Sequence, residues 1–280
     1  MKVRVIDFKS NTAPADFTVG LKEIGFAVIA NHPIPQTLIN HAYDVWYQFF
    51  KSDEKKQFAF DKKTHDGYVS TELSETAKGY GVKDIKEFYH YYFPHGRCPE
   101  SCRDVSSQLA IALTDMASTL LGWIESNSPD AVKAKFSMPL SNMIVDSKKT
   151  LFRLIHYPPL TGNEPKDAIR AAAHEDINLI TLLPAATAEG LQVKDAQGDW
   201  LDVPINPGWI IVNVGDMLQE CSGHYYPSTS HRVLNPVGEA AKKSRLSMPL
   251  FLHPRDEVVL SSRYTAVSYH QERLKELGLM

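Results

Sequence analysis

Apolar residues recur at helical intervals through the first half of the chain. Between Gln36 and Lys51 they return every three or four positions, which places them on one face of a helix. The shorter segment Ala15–Ile24 has the same spacing and would end at Gly25, while Ser52 is a suitable N-cap for the next helix. The predicted helices are Ala15–Ile24, Gln36–Lys51, Asp53–Phe60, Val105–Glu125, one from Ser128 or Pro129 to Phe136, and Thr265–Leu277.

From Leu151 onward the apolar runs become short, and Gly, Pro, Asn and Asp separate them. Such runs are typical of strands joined by turns, and their number indicates an antiparallel sandwich or a jelly roll. The predicted strands are Phe26–Ala30, Leu151–Tyr157, Ala171–Asp176, Leu179–Leu183, Leu191–Asp195, Trp209–Val214, Ser230–Leu234, Leu246–Leu252 and Glu257–Leu260. The fold is therefore expected to be mainly β with a helical N-terminal half. One functional unit would comprise a mostly helical region (1–140) packed on the barrel, a jelly-roll core (141–264) and a C-terminal helix (265–280).

The composition is that of an ordinary globular protein. Of 280 residues, 43% are hydrophobic and 22% charged, so a large core can form without disulfides. The formal net charge is −3 and the basic residues form no stripe, which argues against nucleic-acid binding. No stretch is long enough to span a membrane and no signal-peptide pattern is present, so a cytoplasmic protein is expected. An odd, small number of cysteines favours reduced thiols, with a local disulfide or half of a metal site at Cys98 and Cys102 as the alternative.

Two histidines and an aspartate form a candidate metal site. His174 and Asp176 lie two apart in a predicted strand, so their side chains would point to the same side. His231 begins a later strand. Two imidazoles and one carboxylate on one face of a metal leave the other face open, as in the facial triad of non-haem Fe(II) oxygenases. The alternative is coincidence, because His-x-Asp is a common triplet and the chain has 11 histidines.

A carboxylate receptor is predicted on the strand that follows His231. Arg245 and Ser247 again lie two apart, and a guanidinium with a neighbouring hydroxyl binds a carboxylate well. Tyr157, at the end of its strand, would supply a third hydrogen bond. The alternative is that Arg245 forms a structural buried salt bridge, because an inward arginine is costly to bury unpaired.

At this point the chain resembles the isopenicillin N synthase-like 2-oxoglutarate/Fe(II)-dependent dioxygenases almost from end to end. The resemblance rests on several blocks in the same order, and their combination is far more specific than any one of them. The blocks are Val5-Ile-Asp-Phe8, Gly25-Phe-Ala-Val-Ile-Ala-Asn-His32, Phe49-Phe50, Arg153-Leu-Ile-His-Tyr-Pro-Pro159, His174-Glu-Asp176 with Thr181-Leu-Leu183, Asn213-Val-Gly-Asp-Met-Leu-Gln219, His231-Arg-Val233 and Arg245-Leu-Ser247. The chain departs from the family in the loop Cys221–Pro227 and in a longer loop Asn235–Ser244, neither of which removes a ligand.

The resemblance implies a double-stranded β-helix (jelly-roll) core flanked by α-helices. It implies that His174, Asp176 and His231 ligate Fe(II), and that Arg245, Ser247 and Tyr157 bind the distal carboxylate of 2-oxoglutarate. Asn213 would touch the co-substrate or the substrate, or else cap the turn before Gly215. The implied reaction consumes O₂ and 2-oxoglutarate, releases succinate and CO₂, and hydroxylates a C–H bond.

The sequence leaves two rival functions and the identity of the substrate undecided. An Fe(II) oxidase of the same fold that does not use 2-oxoglutarate is one rival, and a metal-bearing binding protein without turnover is the other. The substrate is expected to be a small molecule, such as an amino acid or its derivative. Arg153 would pair with a substrate carboxylate or form an internal salt bridge, and the aromatic residues of Glu87–Phe93 would line the pocket mouth or belong to the core.

Overall fold

The computed structural model describes residues 2–73 and 82–276, and within these ranges the strands form one nine-stranded and one four-stranded sheet. The large sheet contains β1 Arg4–Asp7, β2 Phe26–Ala30, β3 Gly67–Val69, β4 Glu87–Tyr92, β5 Leu151–Tyr157, β7 Ile180–Pro184, β10 Ile210–Val214, β12 Arg245–Ser247 and β13 Leu250–Leu252. The small sheet contains β6 Ala171–His174, β8 Leu191–Lys194, β9 Trp200–Asp202 and β11 His231–Val233.

The two sheets pack against each other through alternate side chains. The large sheet has the order β1-β2-β10-β7-β13-β5-β4-β3, with β12 beside β5, and the small sheet has the order β6-β11-β8-β9. Only β1 and β2 pair in parallel among the described strands. Val28 and Ile211 of the large sheet share one buried cluster with Val193 and Val233 of the small sheet. This shared interior lies on the face where the candidate site residues are found.

Helices cover the opposite face of the large sheet. They are α1 Ala13–Ile24, α2 Gln36–Lys51, α3 Glu100–Asn127, α4 Asp130–Lys133, α5 Leu140–Met143, α6 Asp216–Cys221 and α7 Ala266–Glu276, with 3₁₀ helices at Asp53–Phe58, Thr71–Leu73 and Gly238–Lys242. The apolar stripes of α1, α2 and α3 belong to one large core with Leu182 and Leu250 of the sheet. Within that core the indole N–H of Trp46 donates to Ser106 Oγ at 2.9 Å, so its one polar atom is satisfied.

Periodicity predicted several elements with their observed bounds. Phe26–Ala30, Gln36–Lys51 and Leu151–Tyr157 are β2, α2 and β5. The N-terminal region contains α1 to α4 and also supplies β1 to β4, all of which belong to the large sheet. The division of the chain at residue 140 stays a prediction.

Four other predicted elements differ from those observed. The predicted strand Leu246–Leu252 is two strands, because Pro249 has no N–H for a sheet ladder. Glu257–Leu260 forms no strand; its N–H groups bond within a turn, as Leu260 does to the Tyr264 carbonyl. The helix predicted up to Phe136 ends at Lys133, where hydrogen bonds three residues apart replace the helical pattern. The helix predicted for Asp53–Phe60 is a 3₁₀ helix over Asp53–Phe58, and Ser52 caps it as predicted by accepting from the Glu54 N–H.

The cysteine and membrane expectations can also be compared with the structure. Cys98, Cys102 and Cys221 are free and buried in the structure. Burial raises the pKa of the Cys98 and Cys102 thiols to about 12, so neither is a thiolate near neutral pH. Among helices in the described ranges, none has both the length and the apolar character needed to cross a membrane. Leu277, the predicted end of the last helix, lies outside the described residues.

Candidate active site

His174 and His231 lie opposite each other on the neighbouring strands β6 and β11, with ring centroids 4.4 Å apart. The Nδ1 atom of each ring faces the carbonyl oxygen two residues earlier, at 2.8 Å from Ala172 and 3.1 Å from Thr229. A carbonyl can only accept, so Nδ1 carries the proton in both rings. Each Nε2 lone pair is therefore available to a metal ion.

Asp176 approaches the two histidines from the connection between the sheets. Its Oδ2 accepts hydrogen bonds from Thr181 Oγ1 at 2.6 Å and from Asn213 Nδ2 at 2.8 Å. Its Oδ1 lies 3.8 Å from His231 Nε2. One potential ligand atom from each of the three residues lies within 4.8 Å of the others, so the group could hold a metal ion.

The predicted residues are thus brought together, but not for the predicted reason. Strand β6 ends at His174, and Asp176 lies beyond it, where the chain leaves the small sheet and enters β7 of the large sheet. The Asp176 carbonyl accepts from the Asp216 N–H at 2.7 Å, which holds this crossover in place. The carboxylate is therefore positioned by tertiary contacts and not by strand alternation.

The pKa shifts of His174 and Asp176 suit metal binding. The surrounding protein, and next the charge of His231, lower the pKa of the His174 imidazole, although this residue is exposed. Burial would raise the pKa of Asp176, but the two imidazoles and the hydrogen bonds from Thr181 and Asn213 outweigh it and lower the pKa. Neutral imidazoles and an ionised carboxylate are the forms that ligate metals.

Loop contacts hold the chain segment that precedes His231 in place. Gly25 follows α1 with φ +75°, and a Cβ there would lie 2.4 Å from the Pro227 carbonyl oxygen. Thr229 Oγ1 donates to the Ile24 carbonyl at 2.7 Å, close beside it. Only a residue without a side chain allows this packing. The α1–β2 turn therefore anchors the segment that leads into His231.

Asn213 contacts the metal-site carboxylate. It lies on β10, is buried, and donates to Asp176 Oδ2, so it does not cap the turn before Gly215. A direct contact with the co-substrate stays a prediction. Sequence reasoning did not single out Thr181, the other residue that orients Asp176, although the resemblance included its position.

Loss of the hydrogen bond from Asn213 to the Asp176 carboxylate should weaken metal binding. In Asn213→Ala, Asp176 keeps its bond from Thr181 but is free to rotate, and outer partners of this kind contribute about 10- to 100-fold in metal affinity. Mn(II) affinity is measured by calorimetry, with Asn206→Ala in an exposed turn as the matched control. Equal affinities of Asn213→Ala and the wild-type protein would contradict the orienting role.

Arg245, Ser247 and Tyr157 share the interior between the sheets. Arg245 pairs with Tyr157 across β12 and β5, Ser247 pairs with Ile155, and all are buried, with Arg245 only 1% exposed. Arg245 Nε donates to the Ala188 carbonyl at 2.9 Å, and its Nη1 is buried without a partner. Among the described residues no carboxylate forms an ion pair with Arg245, which is evidence against the structural salt bridge left open above.

The aromatic strand β4 divides between the two sides of the sheet. Tyr89 and Tyr91 lie in the helix-covered core, whereas Phe88 and His90 face the interior between the sheets. Arg153 lies beside them: its Nε donates to His90 Nε2 at 2.8 Å, and its guanidinium carbon lies 4.9 Å from the Phe88 ring centroid. The pocket-mouth expectation for Tyr89 and Tyr91 is thus wrong, because β4 turns its even-numbered side chains inward.

A second buried arginine, Arg170, was not singled out from the sequence. It immediately precedes β6, is 1% exposed, and its guanidinium carbon lies 5.8 Å from the centroid of the Tyr157 ring. The available signal was its position four residues before His174, which in an extended chain puts both side chains on one side.

Two family profiles match most of the chain. The 2OG-Fe(II) oxygenase superfamily matches residues 148–254, and the family described as non-haem dioxygenase in morphine synthesis N-terminal matches residues 5–107. A flavonol synthase/flavanone 3-hydroxylase from Arabidopsis thaliana is 29% identical over 252 residues, which are 85% of this chain and 71% of that protein.

Solved structures resemble the chain over its whole length. A protein of Shewanella oneidensis assigned as an oxygenase is 53% identical, with a TM-score of 0.91 and full coverage of both chains. A protein of Caulobacter crescentus assigned to the 2OG-Fe(II) oxygenase family is 32% identical, with a TM-score of 0.78, and the match covers 98% of this chain and 99% of that one. The chain belongs to the 2OG-Fe(II) oxygenase superfamily. It is a 2-oxoglutarate- and Fe(II)-dependent oxygenase.

Proposed function

We propose that this enzyme hydroxylates a C–H bond of a small molecule, with Fe(II) held by His174, Asp176 and His231. The observation that carries the assignment is the convergence of one carboxylate and two free imidazole Nε2 atoms. This donor set fits Fe(II), because it can occupy one face of the ion and leave room for O₂ and a chelating co-substrate.

The two sheets and their connections would form a double-stranded β-helix. Strands β10 and β7 of the large sheet pack against β6, β11 and β8 of the small sheet and enclose the candidate ligands between them. This packing supports the proposed β-helix. In this proposal residues 141–264 supply the core, residues 1–140 add helices and the edge strands β1 to β4, and residues 265–280 close the chain.

Arg245, Ser247 and Tyr157 would bind the distal carboxylate of 2-oxoglutarate. Arg245 is a buried guanidinium with an unsatisfied N–H and no ion pair within the described residues, so a bound carboxylate would offset the cost of its burial. Fixing this end of the molecule would orient its 2-oxo acid end toward the histidines. The buried walls around Tyr157 and Ile155 exclude water, which strengthens this electrostatic contact.

The overall reaction would convert R–H, O₂ and 2-oxoglutarate to R–OH, succinate and CO₂. Bound Fe(II) supplies the oxidative decarboxylation and the oxidation of the C–H bond. The chain's own residues hold the reactants: Asn213 and Thr181 fix the orientation of Asp176, and the carbonyls of Ala172 and Thr229 fix those of the imidazoles. Such positioning is the main contribution of a protein to cofactor chemistry.

The substrate we propose is a small carboxylate-bearing metabolite, such as an amino acid or its derivative. Arg153 lies on the interior face of β5 between aromatic side chains, with its guanidinium carbon 4.9 Å from the Phe88 ring centroid and 5.6 Å from that of Phe251. A positive charge flanked by aromatic rings attracts a carboxylate and offers apolar contacts for a short side chain. The cytoplasmic location stays a prediction.

Succinate formation provides the test. The purified protein is supplied with Fe(II), 2-oxoglutarate, O₂ and a library of amino acids and N-acyl amino acids, and succinate and oxygenated product are measured by mass spectrometry. We expect equimolar succinate and hydroxylated product from at least one carboxylate-bearing compound. Product formation without 2-oxoglutarate would indicate the oxidase of the same fold, and metal binding without turnover would indicate a binding protein; the family match favours neither.

A further inference from the structure

We infer that Arg170 is a second guanidinium of the co-substrate site, so that two arginines on Tyr157 receive the distal carboxylate of 2-oxoglutarate. The inference rests on the proposed function, in which Arg245 binds that carboxylate. It adds a residue from the other sheet, because Arg170 leads into β6 whereas Arg245 lies on β12.

Both guanidinium groups contact the same ring. The guanidinium carbon of Arg245 lies 5.0 Å from the Tyr157 ring centroid, and that of Arg170 lies 5.8 Å from it. Each side chain is 1% exposed, so neither charge is solvated by bulk water. Tyr157 is itself 2% exposed, which makes this a closed and preformed cluster.

Carbonyl oxygens satisfy only part of each guanidinium. Arg170 Nη2 donates to the Lys243 carbonyl at 3.0 Å, and Arg245 Nε donates to the Ala188 carbonyl at 2.9 Å. Arg170 Nε and Arg245 Nη1 are buried without a hydrogen-bond partner. In the part of the chain that the structure describes, neither arginine forms an ion pair with a carboxylate. One unsatisfied donor on each group is therefore left for a ligand.

The electrostatics favour an anion at this place. Burial and then the charge of Arg245 lower the pKa of Arg170 to about 10, which still leaves it protonated near neutral pH. Two buried like charges repel each other and are each costly to desolvate. Carboxylate is the ligand that a pair of such groups recognises best, since its two oxygens can accept one N–H from each guanidinium.

Two arginines should make the site selective for a co-substrate with a distal carboxylate. The matched probe is 2-oxopentanoate, which has the same chain length and 2-oxo acid as 2-oxoglutarate but a terminal methyl group. Affinities of both compounds are measured on the anaerobic Mn(II) protein by calorimetry. In Arg170→Gln we expect 2-oxoglutarate to bind about 10- to 100-fold more weakly, the size of a lost hydrogen bond to a charged group, with less than about a twofold change for 2-oxopentanoate.

The matched control is Arg232→Gln. Arg232 lies on the neighbouring strand β11 but points away, with its guanidinium carbon 4.0 Å from the Trp200 ring centroid and its Nε bonded to Gln192. The Arg232→Gln variant should bind 2-oxoglutarate and 2-oxopentanoate with the same affinities as the wild-type protein. Arg170→Lys keeps the charge without the fork and should retain part of the selectivity, so it replaces Arg170→Gln if that variant does not fold.

The outcomes separate the inference from the function on which it rests. If Arg170→Gln weakens both ligands equally, Arg170 is structural and the inference is wrong; if it weakens neither, Arg170 does not contact the carboxylate. In both cases Arg245→Gln would still abolish the preference for 2-oxoglutarate. A wild-type protein that binds both ligands alike, and an Arg245→Gln variant that does the same, would overturn the proposed co-substrate site itself.

Discussion

Asp176→Ala should abolish iron binding and succinate formation. The variant loses one of three donor atoms that lie within 4.8 Å of one another, and it leaves Thr181 and Asn213 without the acceptor they share. Loss of an outer partner alone costs about 10- to 100-fold in metal affinity, so loss of a ligand should exceed about 100-fold. Fe(II) affinity is measured anaerobically by competition with a chelator, and succinate is measured by mass spectrometry.

Glu175→Ala is the control for this experiment. Glu175 is the adjacent residue, carries the same kind of charge and is exposed to solvent, so its removal tests for a general effect of lost negative charge. It should bind Fe(II) and release succinate as the wild-type protein does. Full activity in Asp176→Ala, or equal losses in the two variants, would show that Asp176 is not a ligand.

Arg245→Ala should weaken 2-oxoglutarate binding about 30- to several-thousand-fold. Removal of one partner of a buried hydrogen-bonded charge pair costs roughly 2–5 kcal/mol, at about 1.4 kcal/mol for each factor of ten. Because Arg245 is 1% exposed, solvent does not screen the contact. Binding is measured by titrating the anaerobic Fe(II) protein with 2-oxoglutarate. The signal is the heat of binding or the absorbance of the chelate.

Two graded variants test how Arg245 acts. Arg245→Lys should recover only part of the affinity, because an ammonium group cannot reproduce the planar fork. Ser247→Ala should cost only about 1 kcal/mol, the value of an ordinary hydrogen bond. Unchanged affinity in Arg245→Ala would place the carboxylate elsewhere, while Arg232→Ala on the outward side of β11 should bind as the wild-type protein does.

The two predictions concern different walls of one interior. The metal ligands come from β6, β11 and the crossover into β7, whereas Arg245 and Tyr157 lie on β12 and β5 of the large sheet. Asp176→Ala should therefore change metal affinity more than Arg245→Ala does, and Arg245→Ala should leave Mn(II) affinity within about twofold. This separation lets each residue be assigned by one binding measurement.

Local sequence patterns determined much of this protein. The bounds of β2, α2 and β5 followed from apolar spacing, because burial of one face is enough to define such elements. The end of α1 followed from Gly25, which adopts the left-handed conformation with φ +75°. The candidate ligands followed from residue chemistry, since imidazole and carboxylate are the donors that Fe(II) requires in an open site.

Only the tertiary structure decided how those residues meet. Asp176 reaches the histidines because the chain crosses between sheets after His174, and no local period encodes such a crossover. Asn213 faces Asp176 because β10 pairs with β7, and Arg170 reaches Tyr157 although the two are 13 positions apart in the chain. Pairing between distant strands places these groups, and the energy of that pairing depends on the whole packed core and not on any one segment. The sequence by itself therefore defined the chemistry of the donors, while long-range packing determined how the carboxylate and the two imidazoles meet and which oxygen of Asp176 is left free to bind.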